Sequence, residues 1–155
     1  MSVISGCASA YADPGNGAAH HASNFNGFDK TVDAKWQIET VKAVSAETGK
    51  LSLVMMGANW CHDSEALYEA LASPELSNFI ADNFNVAFVD VGQKDRNLDI
   101  ARSFGLDGIK GTPTVILLSP EGEVLNLESA VAWRNSANRS NDDIRTELQS
   151  FLPKG

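Results

Sequence analysis

Apolar and polar residues recur along the chain with two different periods, and the switches between them mark out the elements. From Thr31 the apolar positions Val32, Trp36, Ile38, Val41 and Val44 sit roughly three or four apart, with Asp33, Lys35, Glu39 and Lys42 between them. That spacing predicts an amphipathic helix, and Gly49 stands where such a helix ends. Leu51–Met56 is an unbroken apolar run bounded by Gly49 and Gly57, the pattern of a buried strand. Cys61–Ala72 turns helical again, with Ala66, Leu67, Ala70 and Leu71 on one face. Ser73-Pro74-Glu75 restarts the chain, serine as N-cap and proline at the first helical position, and Leu76, Phe79 and Ile80 continue that helix.

Asn85–Val91 reads as a second strand, released by Gly92. A compact helix follows over Asp95–Phe104, closed by Gly105, and Pro113–Leu118 is a third strand. The tight turn Pro120-Glu121-Gly122-Glu123 predicts that Val124–Leu127 pairs back as an antiparallel fourth. Ser140-Asn141-Asp142-Asp143 has the form of a capping box and opens a last helix through Ile144, Leu148 and Phe151. The predicted order is α-β-α-α-β-α-β-β-α, an α/β domain. Strands separated by helices are expected to pair in parallel, with the last hairpin as an antiparallel edge.

A length of 155 residues, 43% of them hydrophobic, fits one globular domain with a sizeable core. No stretch approaches the ~18 consecutive apolar residues of a membrane span. The net charge of −8 argues against a nucleic-acid partner, because phosphate binding needs clustered Lys and Arg. The acidic residues form no block and read as a solvated surface. Two cysteines, Cys7 and Cys61, do not make a disulfide framework.

Residues 1–28 read as a flexible N-terminal tail and 29–155 as the folded domain, since Asp13-Pro14-Gly15-Asn16-Gly17 and Asn24-Phe25-Asn26-Gly27 are runs of turn formers. Within the tail, Ile4-Ser5-Gly6-Cys7 resembles the lipobox of bacterial lipoproteins, whose cysteine is acylated and anchors the protein. Only Met1-Ser2-Val3 precede it, whereas such a signal also carries a basic start and an apolar stretch. Two readings stand: a domain tethered in the cell envelope or periplasm through a lipid anchor at Cys7, and a cytoplasmic protein with a chance match. His20-His21 has no Cys, Asp or Glu partner at ligand spacing and reads as a pair of solvated loop histidines rather than a metal site.

The chemistry is expected at Cys61, the one cysteine inside the folded region. Leu51–Ser64 runs from the buried strand through Gly57-Ala58-Asn59 and delivers Trp60-Cys61 to the mouth of a helix. Trp60-Cys61-His62-Asp63-Ser64 after the first strand, with Gly111-Thr112-Pro113-Thr114 before the third, resembles the thioredoxin superfamily over roughly residues 30–152. Gly57–Cys61 is also similar to a bacterial thioredoxin-like subgroup that carries Cys-x-x-Ser or Cys-x-x-Cys here. The resemblance implies a thioredoxin-like three-layer α/β/α sandwich with a central mixed sheet of about four strands. It also implies that Pro113 is cis and packs against the reactive cysteine, that Thr112 offers backbone hydrogen bonds to a bound substrate strand, and that Trp60 lies as a flat lid beside the sulfur.

At a helix N-terminus the macrodipole and free N–H groups favour a thiolate. His62 adds to this when protonated, and Ser64, one turn on, is placed to donate its hydroxyl to the sulfur. Asp63 and Glu65 act the other way. Ser64 stands where the family's second cysteine is usual, so a mixed disulfide at Cys61 needs another thiol to resolve it. No Asp or Glu lies between Leu51 and Trp60, in keeping with there being no second thiol to deprotonate, and Asp90 reads as a strand-end residue. The expected function is monothiol thiol–disulfide exchange, isomerase-like, on protein thiols and disulfides. Glutathione or another thiol is the co-substrate, no metal or other cofactor is expected, and the protein acts as a monomer. The alternative is a redox-silent module whose Trp60–Pro113 groove recognises an extended peptide. A third course has Cys7 resolve the mixed disulfide through the tail, since loop closure costs little more as loops lengthen. Trp133–Ser140, with Arg134 and Arg139, either anchors the last helix as a surface loop or binds an anionic ligand, glutathione carboxylates being a natural candidate.

Overall fold

The computed structural model describes residues 25–154; Ile4–Cys7 and His20-His21 lie outside them. Helix α1 (Ala34–Thr48) is capped by the Asp33 side chain, which accepts from the Trp36 N–H, and ends at Gly49 in the left-handed conformation (φ 79°). Its buried stripe is Ala34, Ile38 and Ser45, with Val41 half-buried, steps of four, three and four that hold one helix face. Val32, Trp36 and Val44 lie off that stripe and stay exposed, Trp36 by 65%.

Strand β1 (Leu51–Gly57) is buried along its whole length because it is the middle of the sheet. It pairs in parallel with β2 (Phe84–Asp90), Leu51 opposite Phe84 and Gly57 opposite Asp90. On its other side it runs antiparallel to β3 (Thr114–Leu118), Met56 opposite Thr114. Alternate β1 side chains serve the two faces, as the period of a strand requires. Leu53 and Met55 pack with Leu67 and Leu71 of α2 (His62–Ala72), Ile80 of α3 (Ser77–Asn83) and Ile144 and Leu148 of α5 (Asn141–Gln149). Val54 and Met56 pack with Ala34 and Ile38 of α1 and Ile100 and Ala101 of α4 (Leu98–Ser103). The result is the expected thioredoxin-like arrangement of three layers, helices on both faces of a mixed sheet. Ser52, on the α1 face, donates to Ser45 Oγ (2.9 Å), which also accepts from Asn85 Nδ2 (3.0 Å), so the buried hydroxyls are satisfied.

Several expectations are corrected. The third strand, expected parallel after its helix, is antiparallel. The six residues of α4 rise only about 9 Å, against the roughly 23 Å of a seven-residue strand, so this helix does not carry the chain back along the sheet before β3 re-enters. Helix α4 itself is shorter than Asp95–Phe104 because Asn97 takes a left-handed conformation (φ 58°) and its side chain donates to the Asp90 carbonyl (2.8 Å). Helix α3 begins at Ser77, after a turn in which Ser73 accepts the Leu76 and Ser77 N–H groups.

The fourth strand over Val124–Leu127 is reduced to a single bridge between Leu118 and Val124, leaving three strands among the described residues. Asn126, which is buried, replaces it. Its Oδ1 accepts from the Leu117 N–H (2.8 Å) and its Nδ2 donates to the Val115 carbonyl (2.9 Å). Leu125 N–H donates to Leu117 O, while Val115 N–H reaches Ala130 O and Ser119 N–H reaches Glu123 O. The outer edge of β3 is thus satisfied by one side-chain amide and scattered backbone groups instead of a ladder.

The boundary between tail and domain also moves. Residues 25–28, expected in the tail, pack on the domain: Phe28 is fully buried, and Phe25 lies edge-on to Tyr68 and Phe28. The Phe28 ring sits against Gly57, where an added Cβ would fall 2.5 Å from Phe28 Cζ. At position 57 glycine therefore makes room for an aromatic core residue.

Candidate active site

The site is built where β1 ends. Gly57 closes the strand, Cys61 N–H donates to the Ala58 carbonyl (3.1 Å), and Cys61 becomes the N-cap of α2, its carbonyl accepting from Glu65 N–H (3.0 Å). The sulfur therefore stands at a helix N-terminus, as the sequence predicted, and it is half-buried and free of any disulfide.

Across from it the chain enters β3 through a cis Thr112–Pro113 bond. The Cys61 S–H donates to the Thr112 carbonyl at 3.4 Å. Thr112 and Pro113 are both buried, and Thr114 Oγ1 donates to Gly111 O (2.9 Å), which braces the loop. Residues more than fifty positions apart are thus joined at the sulfur.

Trp60 is half exposed (50%), and its indole N–H donates to the Gly92 carbonyl at 2.7 Å. That bond holds the ring beside Cys61 as an open flat surface over the turn that ends β2, where Gly92 takes a φ of 58°. His62, the first residue of α2, is exposed. Ser64 is fully buried, and its orientation differs from expectation. Its hydroxyl accepts from the Ala58 N–H (3.3 Å) and makes no hydrogen bond to the sulfur among the described residues. Ser64 thus satisfies the backbone of the turn that carries Cys61.

Two features of the site escape a reading of the sequence. The Asn59 side chain brackets Phe28, accepting from its N–H (2.9 Å) and donating to its carbonyl (2.8 Å), so the loop before Cys61 is fastened to the segment preceding α1. Asparagine in a strand-to-helix turn is a signal for side-chain bonding to backbone, but nothing local names a partner thirty-one residues away. Asp63, expected as a charge near the sulfur, accepts from the Ala137 N–H (2.7 Å) and ties α2 to the 3-10 segment Ala132–Asn138. The two arginines of the Trp133–Ser140 stretch, one inside that segment and one just after it, divide in role. Arg139 lies over the buried Trp133 ring at 4.5 Å and pairs with Glu147, anchoring α5. Arg134 is exposed, and its stem lies on Gly111 at the entrance to the cis-proline loop.

Asp90, at the end of β2, is buried and paired with Arg96 (3.1 Å), a strand-end role. The Glu69 carboxyl is lifted above its ordinary range, chiefly by burial, with the charge of Glu65 adding to the lift and His62 opposing it. Among the described residues no group of three or more His, Cys, Asp and Glu side chains is placed to hold a metal ion, and no helix is long and apolar enough to cross a membrane.

The family model described as thioredoxin-like matches residues 33–120, from the cap of α1 through β3. The chain is similar to the disulphide isomerase from Xylella fastidiosa Temecula1, at 31% identity over 79% of this chain and 95% of that one, with a TM-score of 0.73. Its fold is also shared with the C-terminal domain of Neisseria meningitidis DsbD (17% identity, 77% and 96% covered, TM-score 0.53). A mutant thioredoxin from Halobacterium salinarum NRC-1 is similar at 20% identity, with 77% and 88% covered and a TM-score of 0.51. A comparison with curated proteins gives no match.

Proposed function

Because the chain belongs to the thioredoxin-like family, we propose that it carries out thiol–disulfide exchange through Cys61 alone. The observation that carries this reading is the half-buried Cys61 sulfur at the start of α2, 3.4 Å from the carbonyl of the cis Thr112–Pro113 pair. Exchange begins when the Cys61 thiol gives up its proton and the bond to Thr112 O. The thiolate attacks one sulfur of a disulfide, a new Sγ–S bond forms, and the other sulfur leaves as a thiolate that takes up a proton from water. Ser64 holds the position from which a second thiol would attack, and its hydroxyl is committed to the turn. The mixed disulfide is then cleared by an outside thiol, either glutathione, a protein cysteine or the substrate's own second cysteine. Such a cycle conserves disulfides and suits isomerisation; the similarity to a disulphide isomerase supports it.

Trp60 and Pro113 form the walls of the groove, and the backbone at Thr112 is the natural rail for an extended substrate chain. The test is incubation of the native full chain with oxidised glutathione, followed by intact-mass analysis and peptide mapping. A glutathione adduct on Cys61, absent in Cys61→Ser, is the expected result. An unmodified Cys61 in the folded protein would instead favour the redox-silent reading, in which the exposed Trp60 face binds peptide without chemistry.

A further inference from the structure

We propose that Arg134 makes Cys61 selective for disulfides that carry a carboxylate close to the reacting sulfur, as a cysteine next to a chain-terminal residue does. This rests on exchange at Cys61 as described above. The chain carries a net charge of −8, yet the loop that receives the sulfur's hydrogen bond is entered beside cations. Lys110 and Arg134 are exposed there, and the exposed His62 opens α2 on the other side of Cys61.

Two observations fix Arg134 in this position. Its Nε donates to the Val131 carbonyl (3.1 Å), which orients the side chain. Its Cγ and Cδ then lie directly on Gly111, so a Cβ at position 111 would collide with Cδ and come within 3.1 Å of Nε. The backbone of Gly111 is outside the left-handed region in which Gly49, Gly92, Gly105 and Gly122 are found. Any L residue has the conformation available, so what glycine supplies here is the missing side chain, a berth for the arginine. Gly111 is bonded to Thr112, whose carbonyl meets Sγ. The guanidinium is thereby held one residue from the atom the sulfur touches.

Arg134 has no carboxylate partner among the described residues: its terminal nitrogens are left open, whereas Arg139 is paired with Glu147 and Arg96 with Asp90. The nearby Asp63 is bonded to the Ala137 N–H. A planar guanidinium with open N–H groups reads a carboxylate in two-point fashion. A carboxylate one residue from the attacked sulfur, lying along the Thr112 rail, would meet it.

The measurement compares two disulfides, oxidised glutathione, which bears carboxylates, and neutral bis(2-hydroxyethyl) disulfide. Rates of Cys61 adduct formation are taken in a Cys7→Ser background at low and high salt. The wild-type ratio of the two rates should exceed that of Arg134→Ala by about fivefold, the size of a screened surface ion pair, and high salt should close most of the gap. Gly111→Ala, which displaces the arginine without removing it, should lower the ratio in the same way. Arg134→Lys should keep part of it, and Arg102→Ala, an exposed arginine on α4, should leave it unchanged. Arg134→Gln replaces the alanine variant if that one does not fold. Equal ratios in wild type and the Arg134 variants would overturn the proposal while leaving exchange at Cys61 intact. Absence of any adduct with either disulfide would overturn the exchange reading itself.

Discussion

At the residue scale the sulfur was readable in advance and its support was not. Cys61, Trp60 and Pro113 declare themselves through short motifs, and the structure joins them. Asn59 sits in the same motif without announcing what it holds. Its amide ties the active-site turn to the Phe28 backbone with two hydrogen bonds on one side chain. Asn59→Ala is expected to cost about 1–2 kcal/mol, since both Phe28 groups lose their partner in a partly buried setting. Urea unfolding followed by tryptophan fluorescence checks the number, and an unchanged midpoint would show that water replaces the amide without loss. Ser64 teaches a related lesson. A hydroxyl one turn after a cysteine can face the sulfur or the backbone, and the unsatisfied Ala58 N–H decides for the backbone.

Elements with strong periodicity were legible, and those decided by tertiary satisfaction were not. β1, β2, α1, α2 and the capping box of α5 appear where the pattern put them. In α1 the bulkiest apolar residues misled, because Trp36 and Val44 point to solvent while small Ala34 and Ser45 face the sheet. Close packing of a helix on a strand favours the small face. The expected fourth strand failed for a different reason. Val124–Leu127 has turn chemistry before it and apolar residues in it, but a buried asparagine completes the hydrogen bonding of β3 first. Asn126→Ala should therefore destabilise the fold by about 2–4 kcal/mol, two buried backbone groups losing their partners together. Chemical denaturation measures the loss, and hydrogen exchange at the Leu117 amide should accelerate with it.

For the whole molecule, the acidic surface sets the pH response. Glu69, on the active-site helix itself, is one group that contributes. Its folded carboxyl, on an exposed residue, holds a proton more readily than in the unfolded chain because it is partly desolvated, with the neighbouring Glu65 charge second. The stabilisation from its protonated form is complete below the ordinary value of 4.5 and is lost as pH rises through the lifted folded value. Glu69→Gln should remove that component and leave the protein slightly more stable near neutrality, by about a few tenths of a kcal/mol after solvent screening. Urea midpoints of the two proteins, compared at mildly acidic and neutral pH, should converge on the acidic side. The Lys35–Asp99 pair, at 2.8 Å but open to solvent on both partners, draws Lys35 up and Asp99 down without comparable consequence.

The buried amide of Asn126 also governs how the molecule behaves in a crowd. An open sheet edge is a template, a row of free donors and acceptors onto which a strand from another chain can add. At β3 every outward group from Val115 to Ser119 is already engaged, two of them by a side chain that no incoming strand can displace without leaving an amide stranded in the core. A chain without a fourth strand would ordinarily invite its neighbours to supply one. Here a single asparagine withdraws the invitation along the β3 edge.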